Sequence, residues 1–186
     1  YAQPLIQGET TLPHENGPPV YARLNPLARD REALDRVRSE TLPSSLGDSY
    51  PGFFLIEGTP NTEWLRQGLI YIQDPSTSLA CRLLDPQSGE TVLDACAAPG
   101  GKTALLAALM ENQGRIVASD SSEPRLGPLR ENLERLSIAN AEVRHLDWTD
   151  PPPASDLPAF DAILLDAPCS NTGTMRRRVD VRWRLK

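Results

Sequence analysis

The sequence predicts an α/β protein whose C-terminal part is a parallel, doubly wound sheet. Short apolar strands alternate there with longer helical patterns, which is the arrangement of successive βαβ units. Four of those strands end in or beside an aspartate: Asp94, Asp120, Asp147 and Asp166. The first strand runs into a small-residue turn, Cys96-Ala97-Ala98-Pro99-Gly100-Gly101-Lys102-Thr103, and an alanine- and leucine-rich helical pattern follows at once. In sheets of this kind ligands sit beyond the carboxyl ends of the strands, so the acids and the turn mark one candidate site.

In chain order, residues 1–19 are polar and carry Pro13, Gly17, Pro18 and Pro19, the composition of a linker. Val20 to Asn25 alternates like a short strand and stops at Pro26. Asp30 is placed to cap a helix running through Glu40, with Ala33, Leu34 and Val37 on one face. Extended pieces are expected around Phe53-Phe54-Leu55-Ile56 and Leu69-Ile70-Tyr71-Ile72. Residues 20–72 therefore form a small α+β subdomain, and no catalytic constellation falls within it.

Residues 73–186 form the second domain. Asp74-Pro75-Ser76 starts a helix over residues 78–84. Strands follow at 91–95, 115–119, 142–146 and 160–165, with helices at 102–112 and 124–136. Leu126, Leu129, Leu133 and Leu136 recur at helical spacing and form a stripe that packs on the sheet.

The chain has 186 residues, is 39% hydrophobic and has no apolar run of membrane-spanning length. That excludes a disordered tail or a membrane span. Three scattered cysteines form no disulfide framework and point to a reducing cytoplasm. With only His14 and His145 beside them, no metal-ligand spacing is present. The net charge is −6, yet residues 176–186 hold six basic groups against one acid. A basic end on an acidic body keeps a polyanionic substrate in play.

Three ligands compete for the turn. A phosphate-binding loop needs glycine five positions ahead of Gly101-Lys102-Thr103, and Cys96 stands there. A dinucleotide fingerprint needs spaced glycines, whereas Gly100 and Gly101 are adjacent. S-adenosylmethionine carries no phosphate and needs room over a small-residue loop and an acid for the ribose hydroxyls. Asp120 is placed for the ribose, because a carboxylate accepts from two vicinal hydroxyls, and Asp147 for the adenine or its amino group. The pattern favours methyl transfer.

A second stretch is Asp166-Ala167-Pro168-Cys169-Ser170-Asn171-Thr172-Gly173-Thr174. Together with the Cys96–Thr103 turn, Gln73-Asp74-Pro75 and Arg182-Trp183, it makes residues 20–186 resemble the Sun/Fmu (RsmB-like) family of RNA cytosine-5 methyltransferases. The resemblance implies a class I methyltransferase (Rossmann-like), mostly parallel sheet with an N-terminal substrate-binding extension. It also implies that Cys96, Ala97, Ala98, Pro99, Gly100, Gly101, Lys102, Asp120, Asp147 and Asp166 surround S-adenosylmethionine. Arg125 matches the family's arginine after the ribose acid and orients the loop. Cytosine C5 is a poor nucleophile, so a thiolate adds at C6 before C5 takes the methyl group. Two cysteines divide that work, and Cys169 matches the release-step residue, with Asp166 contacting the target base or the cofactor amine. Amino-group methyltransferases instead tend to carry Asp/Asn-Pro-Pro-aromatic at this position.

The basic run, Arg176, Arg177, Arg178, Arg182 and Arg184 with Trp183 among them, suits RNA, ribosomal RNA by the resemblance, through backbone contact and stacking. The family's nucleophile lies in a Thr-Cys-Ser motif on a later strand, and neither Cys81 nor Cys96 is in that context. Asn171 and Arg178-Val179 also depart from the family pattern. The chain is therefore expected to be an enzyme fragment cut after the fourth strand and inactive alone. The alternative is a catalytically incomplete RNA-binding or scaffold module of the same fold.

Overall fold

Strand β1 (Val20–Leu24) lies between β2 (Phe53–Ile56) and β3 (Ile70–Ile72), antiparallel to both. The computed structural model describes residues 19–167. Side chains alternate across a strand, so Ala22 and its partner Phe54 face helix α1 (Arg31–Thr41) and share a core with Leu34, Val37 and Ile70. Asp30 caps α1 as expected, its Oδ1 accepting from Ala33 N at 2.8 Å. The opposite face carries Arg23, Phe53 and Tyr71, opposite one another in register. A short helix α2 (Thr62–Arg66), absent from the sequence reading, is capped by Asn61 and buries no residue.

A turn of 3₁₀ helix at Pro75–Thr77 leads into α3 (Ser78–Leu84). The second sheet then forms from β4 (Thr91–Asp94), β5 (Arg115–Asp120), β6 (Ala141–His145) and β7 (Ala162–Leu164), parallel throughout and ordered β6-β5-β4-β7. Helices α4 (Gly101–Leu109) and α5 (Glu123–Arg135) connect β4 to β5 and β5 to β6. The expected strands and helices are present, with ends displaced by at most three residues. Leu126, Leu129, Leu133 and Leu136 are all buried.

The helical packing is one-sided among the described residues. Ile116 and Ala118, two apart on β5, contact the clusters that contain α3, α4 and α5. The other face, with Leu93 and Val117, is covered by Trp148 and Phe160. In a doubly wound sheet the β6–β7 connection would place a helix there. Here Pro151, Pro152, Pro153 and Pro158 remove amide donors and clash with helical backbone, and the connection has only a 3₁₀ turn at Ala154–Asp156.

The first sheet is fastened to α5. Asn25, buried, donates through Nδ2 to Gly68 O (2.8 Å) and Leu136 O (2.9 Å). Gly68 has φ +69°, and a Cβ there would fall 2.0 Å from Arg135 O, so only glycine allows this approach. No described helix is long and apolar enough to cross a membrane.

Candidate cofactor site

The loop between β4 and α4 is held from three sides. Ala97 N donates to Ser119 O (2.8 Å) and Gly100 N to Ala97 O (2.7 Å). Asp120 Oδ2 accepts from Ala98 N (3.2 Å), Arg125 Nη2 donates to Ala98 O, and Asn132 Nδ2 donates to Pro99 O (2.9 Å). The backbone thus follows a path set by β5 and α5 before any ligand arrives. The loop ends at the N-terminus of α4, where the first amides lack intrahelical acceptors.

Both glycines of the loop stand where a side chain would collide with a neighbour. Gly100 takes φ +104° at the start of α4, and a Cβ there would lie 2.9 Å from Leu129 Cδ1. A Cβ on Gly101 would lie 2.8 Å from Tyr71 Cε1. The bare faces are filled by α5 and by the first sheet. Tyr71 in turn lies under the Arg135 guanidinium, 5.9 Å from the ring centroid.

Asp94 and Asp120 are the last residues of β4 and β5, whereas Asp147 and Asp166 lie two residues past β6 and β7. All four stand at one edge of the sheet, as the strand ends implied. Asp120 is 2% exposed. Its Oδ1 accepts from Ser122 N (3.1 Å), and Arg125 Nη1 lies 3.2 Å from its Oδ2. His145 steadies the same turn, with Nε2 3.0 Å from Ser121 O and Nδ1 3.2 Å from Glu123 Oε2. Asp166 pairs with Lys102 Nζ at 2.6 Å. Asp147 is exposed and folds back on Thr149, accepting from its N (2.9 Å) and Oγ1 (2.7 Å), which holds its carboxyl below the ordinary value. Arg125 joins Asp120 to Ala98.

Asp94, one of the four strand-end acids that mark the site but with no ligand contact assigned to it, is the most unusual group there. It is fully buried; Thr103 Oγ1 donates to its Oδ2 at 2.7 Å, while its Oδ1 has no partner among the described residues. Burial pushes its carboxyl up to about 6, against the opposing pull of the Thr103 hydrogen bond and Lys102. The folded chain therefore holds this proton where the unfolded chain has lost it. The group's contribution to stability is greatest below its ordinary value of 3.8 and falls as pH rises to about 6. Asp94→Asn should remove a cost of about 2–3 kcal/mol. The ligand-free variant should melt several degrees higher at pH 7.5, with a flatter stability profile between pH 4 and 6. A lower melting temperature at pH 7.5 would mean that the ionised carboxylate is well satisfied.

The described cysteines are poor nucleophiles. Cys81 is buried against Lys102 O (3.8 Å), and burial, then Asp94, pushes its thiol up to about 12. Cys96, in the loop, is also raised, first by desolvation and then by the carboxylates of Asp120, Asp94 and Asp166. Those neighbouring carboxylates disfavour a thiolate. Cys169, Arg176, Arg177, Arg178, Arg182, Trp183 and Arg184 lie outside the described residues. Sequence reasoning missed Thr103 as the Asp94 partner, Asn132 and Tyr71 as supports of the loop, and Trp148, whose Nε1 donates to Ser119 Oγ at 3.0 Å. Only Thr103 carried a signal, since it ends the glycine-lysine-threonine run.

The site is a carboxylate-rich edge over a helix N-terminus. Such a charge balance repels phosphates and suits a ligand with cationic centres, and the orphaned acceptor of Asp94 fits the same chemistry. Comparison with known proteins agrees. The family model for 16S rRNA methyltransferase RsmB/F matches residues 81–186. A probable ribosomal RNA small subunit methyltransferase B of Bacillus subtilis is 38% identical over 167 residues, covering 88% of this chain and 37% of the relative. The ribosomal RNA small subunit methyltransferase B of Yersinia enterocolitica is 39% identical over 176 residues, covering 89% and 39%. Among solved structures, a methyltransferase homolog from Pyrococcus horikoshii superposes with a TM-score of 0.68 at 37% identity, over 87% of this chain and 54% of that one. NSun6 from Pyrococcus horikoshii, crystallised with SFG, gives 0.56 at 36% identity over 64% and 30%. The chain spans about two fifths of the length of these curated relatives.

Proposed function

The chain belongs to the RsmB/F family of 16S rRNA methyltransferases, and from that premise we propose that it is part of an S-adenosylmethionine-dependent RNA cytosine-C5 methyltransferase acting on ribosomal RNA in the cytoplasm. The observation that carries the reading is the loop from Cys96 to Lys102, set between two buried strand-end carboxylates, Asp94 and Asp120. Residues 20–72 serve as the substrate-RNA subdomain and residues 73–186 as the methyltransferase domain, with residues 1–19 as a linker.

S-adenosylmethionine, when bound, supplies an electrophilic methyl group on a sulfonium centre. Asp120 holds the ribose hydroxyls and Asp147 the adenine amino group, while the Cys96–Lys102 loop carries the methionine part. Arg125 keeps the loop and Asp120 in register. Asp166 contacts the target base, and Lys102 balances its charge. Cys169 takes part in release of the methylated base. The arginines of residues 176–184, with Trp183, bind the RNA backbone.

The test is methyl transfer by the full-length protein. With isotope-labelled S-adenosylmethionine and unmethylated ribosomal RNA, the label should appear in 5-methylcytosine after nuclease digestion and mass spectrometry. Label in an N-methylated nucleoside, or in protein alone, would overturn the reading.

A further inference from the structure

A second site lies in the seam between the first sheet and helices α3 and α4. It is a groove of about 610 Å³, walled by apolar side chains including Phe53, Leu105 and Leu109 and entered by three arginines, Arg23, Arg38 and Arg82. Among the described residues no acidic one lines it. We propose that this groove is an RNA-binding subsite, which takes a phosphodiester of a single strand on Arg23 and flanking phosphates on Arg38 and Arg82. The proposal rests on the reading of the chain as an RNA methyltransferase.

Arg23 carries the argument. It sits on β1 opposite Phe53 and Tyr71 and is 4% exposed. Its Nε donates to Gln73 Oε1 at 3.1 Å, and its two terminal nitrogens make no hydrogen bond among the described residues. Burying a guanidinium without an anion is costly, and desolvation lowers its pKa to about 10. A strand position with one apolar neighbour on each side would be filled at less cost by an aliphatic residue. The forked donor set facing a groove matches a phosphate bidentately.

The rim arginines are held loosely. Arg38 Nη1 is 3.4 Å from Asp35 Oδ1, an exposed pair, and Arg82 Nη1 is 3.4 Å from Ser49 O. Both can turn to a ligand without losing a strong bond. The apolar walls suit the faces of nucleobases, the usual composition of a nucleotide pocket. The groove opens against α4 about one to two turns from Gly101, or roughly 6–12 Å along the helix. A single RNA strand spans that separation from the cofactor loop. An acidic peptide would share the charge complementarity, but it has less use for broad apolar walls beside successive anions.

The experiment uses the full chain and a ten-nucleotide single-stranded RNA followed by fluorescence anisotropy at several salt concentrations. The double variant Arg38→Ala/Arg82→Ala should bind RNA at least tenfold more weakly, and its log–log salt slope should be shallower by about 1.4, two phosphate contacts. Arg23→Gln places an amide nitrogen where the arginine Nε lies, so it can keep the Gln73 bond while losing the fork. It should weaken RNA binding to a similar degree and retain its melting temperature. Affinity for S-adenosylmethionine should be unchanged in all of these variants. Wild-type RNA binding that survives every substitution would overturn the groove and leave the methyltransferase reading standing. Displacement of the RNA by a polyglutamate peptide that binds more tightly would assign the groove to a protein partner and overturn the proposal. Arginine-dependent RNA binding in a protein that forms no 5-methylcytosine would keep the groove and remove the methyltransferase reading.

Discussion

Asp120→Ala should weaken S-adenosylmethionine binding about 100-fold in calorimetry, or about 2.7 kcal/mol. Two effects combine in that figure. The carboxylate is the proposed acceptor for both ribose hydroxyls, and hydrogen bonds to a charged partner are worth about 1.5–3 kcal/mol. It also holds Ala98 N and Ser122 N and neutralises Arg125, so its loss slackens the loop. A comparison with Arg125→Ala separates the two. That variant removes the clamp on Ala98 O and leaves the acceptor, so it should cost only about fivefold. Equal losses in the two variants would reduce Asp120 to a loop support and leave the ribose assignment without basis. Asp120→Asn should resemble Asp120→Ala, because an amide turns one of its two acceptor atoms into a donor facing Ala98 N or Ser122 N.

Much of the sheet and its edge could be read from the sequence because the signals there are local. The cap at Asp30, the leucine stripe of α5 and the strand-terminal acids depend on period and position alone, and each is found where expected. What escaped depends on contacts distant in sequence. Helix α2 has five residues and no buried face, so it has no periodicity to detect. Arg23 occupies an alternating strand position that reads as outward, and only the arrival of α3 and α4 against that face buries it. Gly100 and Gly101 belong to a candidate ligand loop, yet their missing side chains make room for Leu129 and Tyr71, 29 and 30 positions away in the chain. The one-sided helical layer follows from prolines that were visible, but their consequence depended on knowing which face the β6–β7 connection crosses. In the site itself, the acids could be named in advance. The partnerless oxygen of Asp94 could not, because it is a property of burial.

Cys169→Ala in the full-length protein should abolish turnover and leave an RNA–protein adduct that survives denaturing electrophoresis. The chemistry sets the expectation. A thiolate that adds to C6 makes C5 nucleophilic, and C5 then accepts the methyl group with the C6–S bond still in place. Release requires removal of the C5 proton, the electron pair of that C–H bond re-forming the C5–C6 double bond as the thiolate departs from C6. If Cys169 serves this step, its removal stalls the enzyme after methylation, so the trapped RNA should carry one methyl group per adduct. The described cysteines supply the control. Cys81, with its thiol pushed up to about 12 and its side chain buried against α4, cannot replace either partner. Cys96 is surrounded by carboxylates that keep its proton on. The adduct should therefore persist unchanged in Cys169→Ala/Cys81→Ser and Cys169→Ala/Cys96→Ser. Disappearance of the adduct in the second pair would move the nucleophile into the cofactor loop, and normal turnover by Cys169→Ala would remove the release role altogether.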